Sequence, residues 1–157
     1  MARTDVELLR QVPLFAELDP AQLHVIAFSA SRISLAADEV LYETGSEVGA
    51  GYLMLEGSAE AIASEGVLAK HRATVEPGWF LAELAMIAKV AVSTTVRANA
   101  PTRLLKIENE LFLRVCVEFP DAGAKVLRAL AQRLDVSLTE LGHVKHQFDD
   151  APPFSRS

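Results

Sequence analysis

Between Phe80 and Ala98 the chain reads FLAELAMIAKVAVSTTVRA. Glu83 opens a short stretch of helical character, Leu84-Ala85-Met86-Ile87, and after a loop come the hydroxyls of Ser93 and Thr94. The backbone N–H groups at the start of such a helical turn form a positive end that suits an anion, above all a phosphate. A site of that kind calls for a cation to close it. A guanidinium does so best, because its planar fork meets two oxygens at once. Yet Lys89 is the only cation between Glu83 and Arg97.

No other stretch offers reaction chemistry. There is no supported Ser/His/Asp arrangement, no metal-ligand cluster, no HExxH motif and no Walker-type loop, so an enzyme is not expected. His24 has no second ligand at suitable spacing and reads as a helix-surface histidine. His143 and His146 stand three apart in HVKH but lack a third ligand nearby, and read as a solvated helix end. Cys116 is the single cysteine, so no intrachain disulfide can form and a reducing compartment is expected. Its apolar neighbours in LFLRVCVEF mark it as a small core residue rather than a reactive thiol.

The bulk properties agree. The 157 residues suit one domain, and half of them are hydrophobic, enough for a sizeable core. A formal charge of -6 argues against nonspecific nucleic-acid binding, which needs a basic face. The charged N-terminus lacks the apolar run of a signal peptide, and no apolar run of about 18 residues occurs, so a cytoplasmic protein without a membrane span is expected.

Three kinds of element must position the cassette. Residues 4–11 predict a short helix, with Thr4 as N-cap and Glu7 as its capping-box partner, ended by Pro13. A second helix starts with Asp19 as cap and Pro20 at the first position, and buries Leu23, Ile26 and Ala27. From residue 31 to 108 short runs rich in Val, Ile, Leu and Tyr are punctuated by Gly45, Gly49, Gly51 and Gly57, with turns at Glu65–Gly66 and Pro77–Gly78. Regular spacing with tight turns predicts a jelly-roll barrel or sandwich. Helical periodicity returns over 109–146, broken at Pro120. There Leu127, Ala131, Leu134, Leu138 and Leu141 step by 4, 3, 4 and 3, a seam that either packs on the barrel or pairs with a second copy. The polar, proline-containing tail 147–157 is expected to be disordered.

Taken in order, these pieces resemble the cyclic nucleotide-binding domain family. LLRQVPLFAELDPAQLHVIA is similar to its opening helices, and DEVLYETGSEVGAGYLMLEGSAE to its first strands, with Gly45 and Gly57 as the turn glycines around Tyr52-Leu53-Met54-Leu55. EPGWFLAELAMI is similar to its phosphate-binding cassette, and STTVRANAPTRLLKI to its last strands. The resemblance implies an α+β fold, a double-stranded β-helix or jelly roll flanked by helices, in one domain over 4–146. It also implies a sensor in which a glutamate meets the ribose 2′-OH, an arginine pairs with the phosphate, and the closing helices cover the base.

Residue by residue, Glu83 takes the glutamate slot and Leu84, Ala85, Met86 and Ile87 fill the helical turn. Ala82 stands where the family has glycine, and Val92 where it has the phosphate arginine. Ser93, Thr94, Thr95 and Val96 then complete the match with Arg97 and Ala98. Valine cannot pair with an anion. Removing one partner of a buried charge pair costs roughly 2–5 kcal/mol, about 30-fold to several thousand-fold in affinity. Arg97 lies an odd number of residues after Val92, so on a regular strand it points the other way. Lys89 is long enough to reach inward from the loop, and His71 and Arg72 lie on a neighbouring strand. Glu83 either contacts a ribose or caps the short helix.

The expected function is a regulatory domain of cyclic-nucleotide-binding type with weak or no binding of cyclic AMP or cyclic GMP and no cofactor. It would act through a homodimer formed by Leu127, Leu134, Leu138 and Leu141, or through a protein partner. Two alternatives stand beside it: a working sensor that uses Lys89 and backbone groups, and a sensor for a more apolar ligand. Only 16 residues follow Leu141, too few for a helix-turn-helix, so DNA binding is not expected.

Overall fold

The computed structural model describes residues 2–65 and 69–141, with side chains over 5–63 and 72–132. The hairpin turn expected at Glu65–Gly66 runs into 66–68, and this segment, the His143–His146 pair and the tail 147–157 lie outside the described residues.

Helix α1 spans Ala2–Gln11 and turns Asp5, Val6 and Leu9 inward. Thr4 therefore lies within the helix instead of capping it. A 3-10 turn over Pro13–Phe15 buries Leu14 and Phe15. Helix α2, Pro20–Ser29, begins as the sequence predicts: Asp19 is extended, Pro20 follows, and Leu23, Ile26 and Ala27 are buried. Gln22 adds a reciprocal cap, its Oε1 accepting the Asp19 N–H at 2.9 Å. His24 is exposed on this helix.

Among the described residues eight strands follow: β1 (Ser31–Leu35), β2 (Val40–Tyr42), β3 (Ala50–Glu56), β4 (Ala59–Glu65), β5 (Ala69–Val75), β6 (Phe80–Leu81), β7 (Thr95–Ala98) and β8 (Thr102–Glu108). They form two antiparallel four-stranded sheets, in the orders β1-β8-β3-β6 and β2-β7-β4-β5. Apart from the β4–β5 hairpin, consecutive strands alternate between the sheets, so the chain winds as a jelly roll, as expected. The first sheet is covered on both sides, by helices and by the second sheet, so β3 is an unbroken run of buried residues from Ala50 to Met54. In the second sheet, β4 pairs β5 in strict register from Ala59↔Val75 to Glu65↔Ala69.

Helices α4 (Asn109–Glu118) and α5 (Pro120–Leu141) close the fold. Phe119 leaves the helical region (φ -131°, ψ 80°), which is where proline excludes it from its predecessor. The two helices meet tightly at Gly123, where a Cβ would stand 2.7 Å from the Cys116 Sγ. Cys116 is half-buried against the core rather than enclosed in it, and burial pushes its thiol pKa up. The Asp121 carboxylate, in the first turn of α5, accepts from the buried Gln22 amide at 3.3 Å. That bond, with Lys125 at 3.6 Å assisting, holds Asp121 below the usual aspartate range. On the expected leucine seam, Leu127 is 49% exposed, next to a buried Leu130. The side chains of Leu134, Leu138 and Leu141 lie outside the described residues.

No helix among the described residues is long and apolar enough to cross a membrane.

Candidate functional site

The cassette begins at the Pro77–Gly78 turn. Gly78 adopts φ +97°, and its N–H reaches Met54 O at 2.9 Å while Met54 N–H returns to Trp79 O at 2.9 Å. This pins the turn to β3 and delivers Phe80 to the core. Its ring lies against Gly51, where any Cβ would come within 2.5 Å of it, and edge-on to Phe15 at 5.3 Å.

Ala82 then adopts φ +60°, ψ +42°. This is the left-handed region that glycine occupies freely and that costs an L-residue about 1–2 kcal/mol. The backbone shape expected of a glycine is therefore present with alanine in its place. Ala82 is fully buried and precedes α3, Glu83–Ile87. Ala85 N–H closes the first turn on Ala82 O at 3.0 Å, and Ala88 N–H closes the last on Leu84 O at 2.8 Å. Glu83, the first residue of α3, is buried, as is Ala85, while Leu84 is half-buried.

The loop after α3 carries the decisive positions. Lys89 is exposed, and Val92 is 3% exposed. The Val92 backbone is stapled to the loop before β3: its N–H donates to Ser46 O and its C=O accepts from Gly45 N–H, both at 2.9 Å. Thr44 N–H donates to Thr95 Oγ1 at 3.0 Å just beyond. The side chain of Val92 joins the apolar cluster between the two sheets, with Tyr42, Ala82, Ala85 and Val96. It is enclosed in that cluster and presents only methyl groups. Ser93 is exposed and Thr94 is buried.

The other cations lie elsewhere. Arg97 is exposed on the outer face of β7, opposite Glu60, as its odd offset from Val92 predicts. Arg72 is also exposed, and its guanidinium pairs with Glu60 at 2.8 Å. The side chain of His71 lies outside the described residues. Within the roll, the rings of Tyr42 and Tyr52 meet at a tilt of 48° with centroids 5.9 Å apart, and burial, helped by the Glu108 carboxylate, pushes the Tyr52 phenol pKa up. Among the described residues no group of three or more His, Cys, Asp or Glu could hold a metal ion.

One residue at this site escaped sequence reasoning. Asn109, the first residue of α4, donates its Nδ2–H to Met86 O in α3 at 2.7 Å, and its backbone N–H to Gly49 O at 2.9 Å. A polar residue at a helix start is a visible cap signal, but its partners lie 23 and 60 residues away, beyond any local pattern.

Known proteins with this arrangement agree on its family. The cyclic nucleotide-binding domain family matches residues 32–119. An uncharacterized NTE family protein of Mycobacterium tuberculosis is 30% identical over 126 residues, which cover 80% of this chain and 21% of that protein. The cAMP-dependent protein kinase regulatory subunit of Blastocladiella emersonii is 28% identical over 109 residues, covering 68% of this chain and 27% of that one. The chain thus spans about a fifth to a quarter of the length of these relatives. The structure of a cyclic nucleotide-binding-like protein from Brucella abortus superposes with a TM-score of 0.64 at 30% identity, over 71% of this chain and 96% of that one. With the jelly roll, the cassette and the closing helices all in family order, the chain belongs to the cyclic nucleotide-binding domain family.

Proposed function

We propose that this is a regulatory domain of cyclic-nucleotide-binding type that binds cyclic AMP and cyclic GMP weakly or not at all. The observation that carries the reading is Val92, buried in the apolar interior at the arginine position while Lys89 and Arg97 are exposed. A phosphate entering the roll meets methyl groups there, and desolvating an anion without a counter-charge is costly. Calorimetric titration of the native protein with cyclic AMP and with cyclic GMP tests this. The expected result is no saturable heat in the micromolar range, and sub-micromolar affinity for either nucleotide rejects it. The competing reading, a sensor that recruits Lys89, requires Lys89→Ala to abolish whatever binding exists.

The output then passes to a partner, foremost a second copy of the chain. The half-exposed Leu127 supports this, since it begins the stripe that Leu134, Leu138 and Leu141 continue in sequence along α5. Light scattering checks it: a dimer for the native chain and a monomer for Leu134→Glu are expected, and a native monomer ends the idea.

A further inference from the structure

We propose that Asn109 is a latch that holds the cassette helix α3 in one place without a bound anion and joins it to α4. Helix α3 has five residues, too short to be stable on its own. Its final carbonyls have no partner inside the helix and carry partial negative charge. In a nucleotide-filled cassette the bound phosphate would steady the other end of this helix. Here Asn109 Nδ2–H meets Met86 O at 2.7 Å instead, at the C-terminal end where a donor is favoured. The Met86 side chain is fully buried, so the residue is gripped by apolar packing on one side and an amide on the other.

The same residue uses its backbone. The first N–H of a helix has no intrahelical acceptor, and that of Asn109 is taken by Gly49 O at 2.9 Å. Gly49 adopts φ +62°. One side chain and one N–H thus tie the loop before β3, the cassette helix and the start of α4 into a single junction. Coupling of this kind is reciprocal: whatever displaces α4 strains α3, and the reverse. A partner docking on the closing helices would be felt at the cassette with no nucleotide present.

The latch rests on the reading that the cassette works without phosphate. Its test uses no nucleotide, so it fails independently of the titrations above. Amide hydrogen exchange is compared for the native protein, Asn109→Asp and Asn109→Ala. Aspartate keeps the size and suits the first turn of a helix, but it has no amide donor. Exchange over α3 and the first turn of α4 is expected to quicken together by roughly 3- to 10-fold, the worth of one hydrogen bond, while β3 and β8 stay as protected as in the native protein. Quickening spread evenly over the chain, or global unfolding of both variants, assigns Asn109 a purely structural role and overturns the proposal. No change at α3, or a change at α3 that leaves α4 untouched, overturns it as well.

Discussion

The layer between the helices and the first sheet is filled by Leu9, Phe15, Leu23, Leu53, Phe80 and Leu105, whereas the layer between the two sheets mixes Tyr42, Tyr52, Met54, Leu81 and Leu104 with a set of small residues, Ala50, Ala59, Ala61, Ala82, Ala85 and Ala98 with Val92 and Val96. Large side chains interdigitate and carry most of the burial energy. Small ones carry little each and bring the backbone close to whatever occupies the interior. A substitution at a small position of the second layer can therefore change what lines the interior at modest cost to the fold, while truncating a large side chain in the first costs stability. Val92 belongs to the second layer. It adds apolar lining to that layer, and both backbone bonds that hold its loop are indifferent to its side chain.

The contrast predicts a ranking. Phe80→Ala removes a fully buried ring from the first layer and should cost about 3–5 kcal/mol in urea denaturation. Val92→Ala in the second layer should cost only about 1–2 kcal/mol, from roughly 0.8 kcal/mol per buried methylene. Equal losses for the two would erase the distinction.

Next come the turns that frame the roll. Gly57 adopts φ +104°, and a Cβ there would stand 2.6 Å from Pro101 O and 2.7 Å from the Thr102 Cα. Gly45, at φ +92°, has nothing within 4 Å. Gly45→Ala should therefore show only the conformational cost of about 1–2 kcal/mol, and Gly57→Ala clearly more. Thermal melts of the pair separate the two contributions.

Smaller still is Ala82→Gly. It relieves about 1–2 kcal/mol of left-handed strain but adds about 0.4–1 kcal/mol of unfolded-state freedom. A gain of up to about 1 kcal/mol is expected by denaturant titration, and a loss would mean that the alanine methyl contributes more to the second layer than its backbone costs.

The smallest effect is acid sensitivity at the α2–α5 junction. The Gln22 amide, and after it Lys125, lower the Asp121 pKa in the folded protein. The stabilising contribution is therefore complete above the unfolded value of about 3.9 and is lost as pH falls through the lower folded value. Asp121→Asn should lower stability slightly at neutral pH, where that contribution is complete, and remove its fall across the acidic window, so that the two proteins converge in acid, as followed by helical circular dichroism.

Much of this was legible beforehand because it rests on local rules. Pro20 after Asp19 starts α2, Pro120 separates α4 from α5, glycines mark the turns, and strand alternation places Arg97 outside. Where reading failed, the cause was equally physical. Thr4 has the chemistry of a cap, yet the helix starts earlier, at Ala2. Cys116 has apolar neighbours in sequence, but its exposure depends on how closely Gly123 lets α5 approach. The Asn109–Met86 and Gln22–Asp121 bonds join residues brought together only by the finished fold. At the cassette the residue types were readable, and the inward direction of Val92 came from its stapling to Gly45 and Ser46.

The most direct measurement is a side-by-side calorimetric titration of the native protein and Val92→Arg with cyclic AMP. A missing counter-charge predicts negligible binding by the native chain and at least about 30-fold tighter binding by the variant, the lower end for restoring one partner of a buried charge pair. Tight binding by the native protein, unimproved by the arginine, would contradict the account.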